Sequence, residues 1–177
     1  ALASRGITAV IPDYRLYPQV TFPGFIEDGA AAVAWTRAHI DEYGGNGQDL
    51  FLAGHSAGAH IAAMLAVAPE YLAAANVPRE DIRGLIGMAG PYDFLPITDP
   101  TLQTIFAPES DWPRTQPINF VDASVPPTLL MHGLADKTVL PKNTRHMAEQ
   151  INASGGNAKT KYYPGVTHVM LIAPLAA

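Results

Sequence analysis

The chain has 177 residues, 48% apolar and 15% charged, with a net charge of −5 and no cysteine. That length suits one domain, able to bury roughly 70% of its unfolded surface, and the composition is globular and not disordered. The acidic balance without a Lys/Arg cluster excludes a nucleic-acid surface, no apolar run reaches the length of a membrane span, and the missing cysteines exclude disulfides, thiolate metal sites and a cysteine nucleophile.

The chain opens Ala1-Leu2-Ala3-Ser4-Arg5-Gly6, which reads as the last turn of a helix closed by glycine. Ile7–Ile11 is expected to be a strand, ended by Pro12, and Pro23–Tyr43 a helix stopped at Gly44-Gly45. The strand-like run Leu50-Phe51-Leu52-Ala53 leads into Gly54-His55-Ser56-Ala57-Gly58, followed by the helical run Ala57–Val67. This is a G-x-S-x-G nucleophile elbow, in which a serine on a tight strand-to-helix turn exposes its oxygen. The Ala57 N–H, at the helix start, is aimed where an oxyanion would form. Glycines are expected where the turn leaves no room for side chains or needs positive φ.

A third strand is expected over Ile82–Gly90. Residues 91–126, rich in Pro, Asp and Thr with scattered aromatics, form a loop-rich insertion of the kind that is usually functional. Thr128–His132 is a fourth strand, Pro141–Ala153 a helix and Thr160–Tyr163 a fifth strand. The alternation predicts one α/β domain over 1–177: a mostly parallel sheet with helices on both faces. The final run, Leu171 to Ala177, is apolar to its end, so both termini read as cuts through a larger domain.

An elbow serine needs a base, and the base an acid. Asp136 follows the fourth strand and His168 the fifth, both a few residues past a strand end, where doubly wound sheets place their sites. Ser56 as nucleophile, His168 as base and Asp136 as acid give the order Ser, Asp, His. Asp93, after the third strand, is the other carboxylate placed to reach the histidine. Asp99, Asp111 and Asp122 read as turn residues. Of the other histidines, His39 and His146 read as solvent-facing on helices, His55 as packing within the elbow and His132 as bracing a loop. His60, one turn after Ser56, either packs or faces the site. With His55, Tyr92 and Phe94 it forms a candidate pocket lining; Phe106 and Trp112 either line a pocket or anchor the insertion. No metal-binding or phosphate-loop spacing is present.

Asp13-Tyr14-Arg15-Leu16, Gly54 to His60, Gly90-Pro91-Tyr92-Asp93, His132 to Asp136, and Tyr163 to His168 stand in an order that resembles the α/β-hydrolase superfamily. Within it, the chain is similar to the hormone-sensitive-lipase and carboxylesterase/arylformamidase branch. The resemblance implies an eight-stranded sheet of which this chain holds the fourth to eighth strands. It also implies the triad of Ser56, Asp136 and His168, with no cofactor or metal and a small-molecule ester as substrate. The family's His-Gly-Gly loop, source of a second oxyanion donor, and its final helix have no counterpart here, so the isolated chain is expected to be a poor enzyme. An arylformamidase or other small-amide hydrolase is the alternative reading. A peptidase and a non-catalytic ligand-binding protein of the same fold are the others. Compartment and oligomeric state are not legible.

Overall fold

The computed structural model describes residues 2–175, so that Ala1 and residues 176–177 of the two termini discussed above lie outside the described residues. In chain order the main elements are α1 (Gly24–His39), β1 (Leu50–His55), α2 (Ala57–Val67), α3 (Pro69–Ala74), β2 (Ile82–Met88), α4 (Pro100–Ile105), β3 (Thr128–Gly133), α5 (Lys142–Ala153) and β4 (Ala158–Tyr163). The strands form one parallel sheet in the order β1-β2-β3-β4.

Each crossover steps one strand further in the same direction. Right-handed crossovers therefore bring α2 and α5 to the same face of the sheet. Strand register agrees: Leu52, Leu85 and Leu130 lie on that face and are buried with Ile61, Met64, Leu65, Met147 and Ile151. The opposite face carries Phe51, Ile86, Leu129 and Met131, and Phe51 is 61% exposed.

Helix α2 is buried on nearly all sides, as an all-round apolar helix must be. Gly29 of α1 lets the two helices approach, because a Cβ there would press on Ile61 at 2.8 Å. Ser56 occupies the N-cap position of α2 but makes no side-chain cap bond. A cap contributes about 1 kcal/mol, whereas burying each large apolar side chain contributes about 1.5–3 kcal/mol. Burial therefore holds α2, and the serine hydroxyl is not consumed by its own helix.

The expected strand at Ile7–Ile11 does not form: this segment joins no ladder, and Ile11 is 92% exposed. A strand needs a neighbour to take its N–H and C=O groups, and five residues of β-propensity cannot replace one. Just beyond it, the Arg15 guanidinium and amide both bond Asp28 on α1, at 2.7–3.2 Å. Residues 91–126 contain α4 and 3-10 turns at Glu109–Thr115 and Pro117–Phe120. Phe106 and Trp112 are buried in the core, so they anchor this segment.

Candidate active site

Ser56 stands between β1 and α2 with φ 54° and ψ −121°, so the strained residue of the elbow is the serine itself. Gly54 is required for another reason. A Cβ there would fall on the carbonyl oxygen of Gly58, whereas a Cβ at Gly58 meets nothing. The expectation that positive φ demands the flanking glycines is thus corrected: close approach explains Gly54, and neither strain nor contact explains Gly58. The Ser56 amide bonds the Met88 carbonyl at 2.9 Å, pinning the turn to the end of β2. Ala57 is exposed at the first helical position, where an N–H has no intrahelical acceptor.

The structure brings Asp136 and His168 together. The His168 Nδ1–H donates to Asp136 Oδ2 at 2.7 Å, and the amides of Thr138 and Val139 donate to Oδ1 at 2.9 and 3.0 Å. Burial pushes the Asp136 carboxyl up, but the bonds from His168, Val139 and Thr138 outweigh it and hold the group below the usual carboxylate range. With Nδ1 engaged, the imidazole has Nε2 left to take a proton. Bonds from Leu134 N to Tyr163 O (2.9 Å) and Ala135 N to Val166 O (3.0 Å) tie the two loops together.

Two further histidines, His132 and His55, touch this pair. His132 is fully buried; its Nε2–H donates to the Val139 carbonyl at 2.8 Å and lies 3.3 Å from Asp136 Oδ2, bracing the acid's loop. His55 donates from Nε2 to the His168 carbonyl at 3.0 Å, and the two rings pack with centroids 4.5 Å apart and planes tilted by 45°.

His60 does not line a pocket. It is buried among Phe25, Phe94 and Phe106, its Nε2–H donates to the Thr115 carbonyl at 2.7 Å, and burial lowers its pKa to about 4. Tyr92 is likewise a core residue, fully buried with its ring over Gly87 and Gly90. Phe94 is half-buried and packs tilted against Phe106, ring centroids 5.4 Å apart, inside the same aromatic cluster.

His146, expected to face solvent, instead donates from Nδ1 to Asp93 Oδ2 at 2.6 Å. Asp93 is thereby committed to α5 and not to His168. The only advance signal was that both groups lie near the carboxyl edge of the sheet. Asn143 on α5 completes the contact by accepting from the amides of Tyr92 and Asp93 at 2.9 and 2.8 Å.

The family model for BD-FAE matches residues 1–151. The chain belongs to the BD-FAE family. This BD-FAE chain is 27% identical, over 96% of its length and 40% of the relative's, to a probable isoprenylcysteine alpha-carbonyl methylesterase of Arabidopsis thaliana. It is 29% identical, over 85% of its length and 38% of the relative's, to the probable carboxylic ester hydrolase LipM of Mycobacterium tuberculosis. The BD-FAE chain thus spans about 40% of the length of these curated relatives. Among solved structures it is similar to a truncated carbohydrate esterase from gut microbiota (TM-score 0.79, 21% identity, 90% of this chain and 66% of the other). It also resembles esterase 2 of Thermogutta terrifontis (TM-score 0.73, 24% identity, 88% and 60%). The fold is the α/β-hydrolase fold. No described helix is long and apolar enough to cross a membrane.

Proposed function

We propose that this chain carries the reacting groups of a serine hydrolase acting on carboxylic esters of small substrates, with 1–177 forming one α/β-hydrolase domain and 91–126 its insertion. The observation that carries the reading is the 2.7 Å bond from His168 Nδ1 to the buried Asp136 carboxylate, on the same edge of the sheet as the strained Ser56. The esterase relatives support the ester class.

In this mechanism Ser56 Oγ attacks the ester carbonyl carbon while His168 Nε2 takes its proton. The Ala57 N–H donates to the oxyanion, and losing one such donor typically costs ~10²–10³ in rate. The imidazolium returns its proton to the leaving alcohol as the C–O bond breaks, giving an acyl-Ser56 ester and the free alcohol. A water then gives its proton to His168 and attacks the acyl carbon, releasing the acid and regenerating the Ser56 hydroxyl. Asp136 fixes the imidazole tautomer and stabilises the cation without taking the proton.

The test is covalent labelling by a fluorophosphonate probe, read by peptide mass spectrometry. The adduct is expected on Ser56 and is expected to disappear in Ser56→Ala. Labelling at another residue, or none in a longer protein active on p-nitrophenyl esters, overturns the reading.

A further inference from the structure

A base acts by proton transfer only if its ring is both rotated and located correctly, and a displacement of about 1 Å can cost on the order of 10²-fold in rate. Asp136 fixes the rotation of His168 through Nδ1. It does not by itself fix where the residue stands. His168 lies in the loop after β4, which turns at Gly165 with φ 71°. The backbone bonds joining that loop to the loop after β3 end at Val166, two residues before the histidine.

At His168 itself the backbone is held by a side chain. The His55 Nε2–H donates to the His168 carbonyl at 3.0 Å, across 113 residues of sequence, and the two rings are in tilted contact with centroids 4.5 Å apart. His55 is the last residue of β1, in register with Met88 of β2, and immediately precedes Ser56. One short piece of rigid backbone therefore presents the serine and grips the histidine.

We propose that His55 is a positioning residue for His168, locating it near Ser56 through the Nε2–H bond to its carbonyl and the contact between the two rings. This rests on the reading of Ser56, His168 and Asp136 as a triad. A carbonyl can only accept, so the bond requires the proton of His55 on Nε2. The ring must also be neutral for its partner's benefit: His168 becomes a cation when it takes the serine proton, and a second cation in contact with it would oppose that step. Burial lowers the His55 pKa and so favours the neutral ring.

The experiment uses the whole chain. Long-range ¹⁵N–¹H spectra near pH 7 are expected to show His55 as the Nε2–H tautomer and His168 as the Nδ1–H tautomer, with a downfield proton in the bond to Asp136. His55→Phe keeps an aromatic ring without the donor. It is expected to shift or broaden that downfield proton and to slow fluorophosphonate labelling of Ser56 on the order of 10²-fold. His55→Gln restores a donor and is expected to recover most of the loss.

An Nδ1–H tautomer or a cationic ring at His55, or a Phe variant with unchanged downfield proton and labelling rate, overturns the proposal. If the Phe variant does not fold, or the unmodified chain does not label, the His55 tautomer decides. His168→Ala is the separate control: labelling that survives it brings down the triad reading itself, whatever His55 does.

Discussion

Gly133, the last residue of β3, lies directly beneath the carbonyl group of Val166, so close that a Cβ at this position would overlap it. The chain leading to His168 therefore crosses the chain leading to Asp136 at the one residue type that permits it. Gly133→Ala must push a backbone segment aside, and overpacking of this kind costs about 1–3 kcal/mol. Denaturant unfolding is expected to show a loss of that size. The downfield proton of the His168–Asp136 bond is expected to weaken even in the fraction that stays folded. A variant with parent stability would mean the loops can part freely.

In the proposed mechanism, Asp136→Asn removes the charge that would stabilise the imidazolium and disturbs the tautomer. A change of this type in a serine triad lowers the rate by about 10⁴-fold, and a loss of that order is expected in Ser56 labelling. The stability effect has a defined direction. Because the folded carboxyl lies below its ordinary value, its bonds contribute stability above the unfolded pKa of about 3.9 and lose it as pH falls through the folded value. The Asn variant should lack that acid-side loss in a urea titration.

Asp93→Asn tests the other carboxylate. Its partner is His146, and a part-exposed side-chain pair of this kind contributes about 0.2–1 kcal/mol. Stability should fall by no more than that, with the labelling rate of Ser56 unchanged. A fall in labelling like that of Asp136→Asn would move the acid to the end of β2.

His60 carries the clearest pH linkage. Its folded pKa of about 4 lies below the unfolded value of about 6.5, so between those values the unfolded chain binds the extra proton. The contribution of neutral His60 is complete above about pH 6.5 and falls away as pH drops toward 4, by about 3 kcal/mol in total. Urea midpoints measured across that window should show the slope, and His60→Leu should flatten it. An equal slope in the variant would assign the linkage to other groups.

These groups differ in how far the chain alone revealed them. Ser56, Asp136 and His168 each follow a strand end within a few residues, so a period-2 pattern and a turn were enough to place them on one edge. The partner of His146 was not legible, because 53 positions separate it from Asp93 and only packing of α5 against the loop after β2 joins them. Nor was the role of His60: α2 is apolar on every side, so its period does not say which side meets the site and which the aromatic cluster. Ile7–Ile11 has a strand's composition, but pairing depends on a neighbour and not on local sequence. Whole-element assignments elsewhere agree with the structure to within a residue or two at most ends, the short α3 and α4 being additions.

The Arg15–Asp28 contact divides the leading segment into two parts with different opening energies. Tyr14, Val20 and Phe22 pack on the core and the Arg15 amide bonds Asp28, so exchange of the Arg15 amide must await an opening that breaks this contact. Residues 8–11 and 13 lie outside that fastening, with no ladder to protect their amides. Their amides should exchange with solvent on a local opening of near-zero free energy, decoupled from the sheet that carries Ser56.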